Sequence, residues 1–211
     1  MKSFCSGIVI ISLCLCLSES VFAQENTDYG VYMQTTKKNA VLFRGKRAFT
    51  YNIRHNGHCF WSTKEYLPGT VKYNSKTYED VLLNFDASRA EILVKSEELL
   101  SGIVLVDDYV EYFTIGESRF ERPQASFKKS APQGFYEVLS NDGTTTIYKK
   151  VTKTFTSNTN YNNGAAIGFD DPDYDSSLIY FFQYNAKYYM AKDGLMKKIG
   201  KGKARKISGR I

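Results

Sequence analysis

What most constrains this chain is how often its apolar runs are cut short. From residue 40 onward, brief β-branched and aromatic stretches alternate with turn signals, and no apolar stripe at i, i+3, i+4, i+7 is sustained. The runs that read as strands are Ala40–Phe43, Ala48–Arg54, His58–Thr63, Thr70–Tyr73, Thr77–Phe85, Glu91–Lys95, Gly102–Val106, Tyr109–Ile115, Phe135–Ser140, Thr145–Thr154, Leu178–Tyr184, Lys187–Ala191 and Leu195–Ile199. Glu97–Leu100 reads as a single helical turn. The expected fold is all-β, mainly antiparallel hairpins and meanders forming a sandwich or open barrel, with little helix. No repeat of fixed period stands out, which argues against a propeller or solenoid.

Asn56-Gly57 is a strong signal for a two-residue type I′ turn, because both central positions need φ > 0. That turn pairs His55 with His58, Arg54 with Cys59, Ile53 with Phe60 and Asn52 with Trp61. Alternation then puts Phe49, Tyr51, Ile53, His55, His58 and Phe60 on a core face, and Cys59 and Trp61 on the more polar one. Further turns are expected at Asn141-Asp142-Gly143, where two- and three-residue loops both fit, at Asn185-Ala186 and at Asp193-Gly194. A long polar segment over 156–177 is a candidate subdivision of the body.

The first 23 residues read as an export signal. Lys2 is a basic start, Gly7–Leu17 an apolar core, and Val21-Phe22-Ala23 a cleavage site before Gln24. The apolar run is too short to span a bilayer as a helix, and no other stretch approaches that length. Cys14 and Cys16 each follow a leucine, which disfavours a lipid anchor. The expected organisation is a signal peptide over 1–23, a flexible segment over 24–38, a β domain over 39–199 and a basic tail over 200–211. Cleavage removes Cys5, Cys14 and Cys16, so Cys59 remains alone and the fold must rest on its core rather than on a disulfide.

The formal charge is +6, and it is concentrated at one end. Lys192 to Ile211 carries eight cations against Asp193, a net of +7, so the rest of the chain sums to −1. A tail of that kind attracts anionic lipid or acidic polysaccharide. An exported protein does not meet nucleic acid, so nucleic acid is not an expected partner.

Several constellations were weighed for chemistry. The expected hairpin brings His55 and His58 together as a cross-strand pair, with Cβ atoms about 5 Å apart. Two imidazoles are short of the three or four ligands zinc needs, and Cys59 would face the other way. Asp171-x-Asp173-x-Asp175 resembles the first half of a calcium loop, but Ser176 and Phe182 stand where an EF-hand needs Gly and Glu. Trp61, Tyr66, Tyr161 and Tyr174 are candidate platforms for sugar rings, though tyrosine also suits half-buried strands. The adjacent pairs Asp107-Asp108 and Glu97-Glu98 face opposite ways in an extended chain. The sequence holds no G-x-S-x-G elbow, phosphate loop or H-E-x-x-H. No catalytic residue and no cofactor is assigned.

Gly69–Tyr73, then Tyr78–Asp86, then Ala90–Val94 form a pattern of strand, turn, strand ending in Asp, and strand. Together with Gly134–Leu139, Asn141-Asp142-Gly143 and Lys187–Gly194, it resembles an uncharacterised exported β-rich family of Bacteroidota. That resemblance implies a periplasmic or outer-membrane-associated β protein and carries no catalytic residues. The expected function is a non-catalytic envelope module that binds or scaffolds a protein or glycan partner. The alternatives are a polysaccharide-acting hydrolase and an adaptor held to an anionic envelope surface by its basic tail.

Overall fold

The computed structural model describes residues 41–95, 102–124, 126–127, 132–157 and 175–211. A compact unit runs from Leu42 to Ile211. Among the described residues, twelve strands build it: β1 (Lys46–Arg47), β2 (Leu67–Tyr73), β3 (Lys76–Asp86), β4 (Glu91–Lys95), β5 (Ile103–Val104), β6 (Val110–Ile115), β7 (Ser118–Glu121), β8 (Ser126–Phe127), β9 (Tyr136–Asn141), β10 (Thr145–Ser157), β11 (Tyr180–Lys192) and β12 (Leu195–Ile199). A helix, α1 (Lys201–Ser208), follows. The protein is all-β with little helix.

The strands join one open sheet in the order β1-β5-β4-β3-β2-β6-β7-β9-β10-β11-β12-β8. Neighbours are antiparallel except for β12 and β8. Each hairpin follows from its turn residues. Asn74 and Ser75 (φ 50° and 63°) join β2 to β3, and Asp193 and Gly194 (φ 52° and 71°) join β11 to β12. Both pairs take the positive φ that suits two twisted strands. Between β9 and β10, Asn141 pairs with Thr146, and the Asp142 carboxylate accepts the N–H groups of Thr144 and Thr145. Gly69 is needed for close approach, since a Cβ there would lie 2.0 Å from the Thr114 carbonyl oxygen of β6.

The core is aromatic. Phe113 and Phe120 stack with centroids 4.7 Å apart, and Phe85 tilts against both. On opposite faces of β9–β12 lie two further clusters. One gathers Leu139, Ile147, Tyr188, Ile199 and Ala204; the other gathers Tyr136, Tyr148, Tyr189 and Met196.

Four expectations are corrected. Val41–Phe43 is a 3-10 turn rather than a strand. The Asn185-Ala186 turn does not exist: β11 runs unbroken, with Thr152 opposite Asn185 and Val151 opposite Ala186. Neither residue takes positive φ, and the thirteen-residue partner β10 supplies a ladder that holds the chain extended through the site. The Asn56-Gly57 hairpin is also absent, with its two strands Ala48–Arg54 and His58–Thr63. Only Gly57 takes positive φ (73°), so the type I′ geometry is not formed. The core face assigned from that hairpin fails with it: Phe49 and Ile53 are exposed by 54% and 51%, while Cys59 is buried. Finally, Lys201–Ser208 within the expected basic tail is a helix whose Ala204 is fully buried. Its last turn closes through a left-handed Gly209, whose N–H donates to the Arg205 carbonyl.

Candidate functional site

Residues 48–66 belong to no strand, yet they are tied to the sheet at several places: Asn84 Nδ2 of β3 donates to the Thr63 and Glu65 carbonyls, and two further ties shape the segment. Asn56 N–H donates to the Tyr180 carbonyl (3.0 Å), and the Asn56 carbonyl accepts from Phe182 N–H (3.1 Å). The Asn56 side chain completes the clasp: Nδ2 donates to the Asp175 carbonyl and Oδ1 accepts Asp175 N–H, both at 2.8 Å. Asn56 is 4% exposed, so these four bonds satisfy groups that have lost water. Gly57 passes close to Phe182, 3.6 Å from its Cβ to a Cβ built on the glycine. The second tie is at Phe60, bridged to Asp86, with Trp61 N–H donating to the Phe85 carbonyl and Ala87 N–H to the Cys59 carbonyl.

The clasp creates a shallow cleft of about 440 Å³, lined by Tyr51, Asn52, Ile53, Arg54, His55, Asp175 and Leu178. The aromatic ring in its described lining is Tyr51, which packs against rings from two other parts of the chain. Tyr51 sits edge-on to Phe182 (4.8 Å) and 5.1 Å from Phe155, and Phe155 stacks on Tyr180. The His55 ring is T-shaped to Phe155 and Phe182. Its Nδ1 lies 2.6 Å from the Ile53 carbonyl oxygen, so Nδ1 carries the proton and donates, leaving Nε2 as the nitrogen available to a ligand. Asp175 Oδ1 accepts the Ser177 hydroxyl (2.6 Å) and N–H (2.9 Å), while Oδ2 faces Arg54 at 3.5 Å. These bonds, from Ser177 first, hold the Asp175 carboxyl below the usual range, so it is ionised at neutral pH. The cleft thus offers the Tyr51 ring, a guanidinium, an imidazole and a carboxylate. Exposed Ile53 adds apolar surface to it.

Two of the residues singled out for metal binding, His55 and Asp175, therefore line one cleft although 120 positions separate them. His58 is elsewhere, its Nδ1 3.4 Å from Lys153 Nζ. The expected cross-strand histidine pair fails because the hairpin that would create it is not formed. Among the described residues, no group of three or more His, Cys, Asp or Glu is placed to hold a metal ion. Asp171, Asp173, Tyr161 and Tyr174 lie outside the described residues.

Trp61 and Tyr66 do not line the cleft. Trp61 packs edge-on against Phe120 (5.0 Å), with Lys149 Nζ 5.6 Å from its ring. Tyr66 is half-buried near Phe60, and burial pushes its hydroxyl pKa up. Tyr51 is the aromatic at the cleft, and alternation pointed it into the core instead. Its local signal was its place two residues from Ile53 and four from His55; its wall partners Phe155 and Phe182 arrive from distant strands.

Two side chains of reactive type are buried, and burial shifts them in opposite senses. Burial first, and the neighbouring Asp86 carboxylate second, push the Cys59 thiol up to about 12, so at neutral pH it is the un-ionised, weakly nucleophilic form. Lys150 is 9% exposed, and its Nζ donates to the Gln133 carbonyl (2.7 Å) over the Tyr136 ring. Burial pulls it down to about 8. No helix among the described residues is long and apolar enough to cross a membrane. Compared with protein families, curated proteins and solved structures, the chain matches none.

Proposed function

We propose that the protein is an exported, non-catalytic binding module of the cell envelope and that the Tyr51–Asp175 cleft takes a glycan. The observation that carries this reading is the cleft itself. A flat aromatic edge beside a guanidinium, an imidazole and a carboxylate suits a sugar, whose apolar ring face stacks while its hydroxyls hydrogen-bond. Export rests on the basic start, apolar core and small-residue cleavage site of residues 1–23. Binding is favoured over hydrolysis because glycoside cleavage uses two carboxyl groups, and the described lining supplies Asp175 alone.

The test is a glycan array of neutral and acidic bacterial and plant oligosaccharides. It is read with wild-type protein, Tyr51→Ala and Arg54→Asn. Wild-type protein is expected to retain a defined subset, and Tyr51→Ala to weaken those signals about tenfold, roughly 1.4 kcal/mol. Retention of no glycan, or equal retention by both variants, would overturn the assignment. Release of reducing sugar from a retained oligosaccharide would favour the hydrolase.

A further inference from the structure

The most asymmetric surface of the molecule is the one carrying α1. From Leu195 to Ile211 the chain contains no acidic residue, whereas Lys197, Lys201, Lys203, Arg205 and Lys206 are all exposed. Among the described residues, no acidic side chain pairs with any of these cations, and Arg205 Nε donates to the Ile211 oxygen at 2.7 Å. They are not on a loose tail. Ala204 packs into the cluster of Leu139, Ile147, Tyr188 and Ile199, which holds the helix against the sheet.

Two of the four helix cations oppose the macrodipole, while Arg205 and Lys206 in the last turn suit it. Lys201 and Lys203 occupy its first turn, where the macrodipole disfavours cations, and there is no acidic residue in that turn and no side-chain N-cap. Lys201 and Arg205 are an i, i+4 like-charge pair, and Lys203 and Lys206 an i, i+3 pair. An anionic partner relieves every one of these repulsions together. Ile207 distinguishes the kind of partner. It is 43% exposed and shares a flank of the helix with Lys203 and Lys206, so an apolar side chain stands among cations. A soluble polyanion has no use for it, but a bilayer takes the apolar group below the headgroups while the lysine stems reach up to phosphate.

We propose that α1 is a docking platform for an anionic lipid bilayer. It does not depend on what the cleft binds. The platform is peripheral, and its attraction falls within about 8 Å of the surface at physiological salt. The probe is co-sedimentation with vesicles of 30% phosphatidylglycerol in phosphatidylcholine, against pure phosphatidylcholine, at low and high NaCl. Preferential binding to the anionic vesicles is expected, lost at high salt. The double charge reversal Lys203→Glu with Lys206→Glu should weaken it at least about tenfold. These side chains are exposed, so the variant keeps its circular dichroism and melting curve. Ile207→Ser should weaken vesicle binding but leave retention on a heparin column unchanged. Equal binding to both vesicle types, or binding insensitive to the charge reversal, would overturn the proposal. So would tight heparin binding together with no vesicle binding, which would assign the surface to a soluble polyanion.

Discussion

The β10–β11 ribbon and residues 48–66 are built from similar material and end in opposite states. Both are rich in Tyr, Phe and β-branched residues, and each has a turn dipeptide, Asp193-Gly194 at the end of the ribbon and Asn56-Gly57 within 48–66. In the ribbon, thirteen consecutive pairs run from Thr145↔Lys192 to Ser157↔Tyr180, and the Asp-Gly turn simply hands β11 on to β12. In 48–66 the backbone pairs with nothing of its own. Its groups are satisfied by β11 at Asn56 and by β3 at Phe60 and Trp61. The difference teaches that a turn signal is permissive. It yields a hairpin when its flanks pair best with each other, and something else when an existing sheet edge offers better partners.

The contrast is broken most severely in the ribbon. Ile147 is fully buried at the centre of the Leu139–Tyr188 cluster, so Ile147→Ala should cost about 2–5 kcal/mol in urea unfolding. The same truncation at exposed Ile53 should cost under about 0.5 kcal/mol. Lys150 gives the ribbon a pH signature. Its folded pKa of about 8 lies below the ordinary lysine value, so the unfolded chain binds more protons between about pH 8 and 10.5. The cost of burying its charge therefore falls away as pH rises through that window, a gain of roughly 2–3 kcal/mol in stability. Cys59 works in the opposite direction, because its thiol stays protonated in the fold while the unfolded thiol ionises above about pH 8.5. The difference in stability between wild type and Lys150→Met isolates the lysine, and it should shift in favour of wild type as pH rises from 7.5 to 10.

Breaking the clasp should be milder and local. Asn56→Ala strands the Asp175 N–H and carbonyl and should cost about 1–3 kcal/mol. Hydrogen exchange should accelerate at Asn56 and Phe182 while amides of the Ile147–Met190 region stay protected. Milder than the clasp variant is the pair Gly57→Ala and Gly194→Ala. Each forces an alanine into positive φ and should cost about 1–2 kcal/mol. They sharpen the comparison because Gly194 has open space around it, whereas Gly57 lies against Phe182, so Gly57→Ala should also slow or weaken clasp formation.

The strands that could be read from the sequence are those whose alternation is local. Glu91–Lys95 and Leu195–Ile199 appear with the bounds that pattern gives, and Thr77–Phe85 and Thr145–Thr154 are lengthened by a few residues. β11 was legible only as two pieces, because nothing in Asn185-Ala186 reveals that β10 runs beside it for its full length. β7 carries one apolar residue, Phe120, facing inward, too little for a strand signal. The helix was hidden by Gly202 and by four cations in eight residues around a single buried Ala204. Of the candidate site, His55 and Asp175 were picked out by chemistry. Their meeting could not be, since it depends on the Asn56 side chain reaching a residue 119 positions away.

The clasp at Asn56 is what orders 48–66 and shapes the cleft, and scalar couplings across hydrogen bonds in a deuterated sample test it directly. Couplings are predicted from Asn56 N to the Tyr180 carbonyl carbon and from Phe182 N to the Asn56 carbonyl carbon. Couplings linking His55 with His58 instead would mean that Asn56-Gly57 closes a hairpin, and would contradict the account.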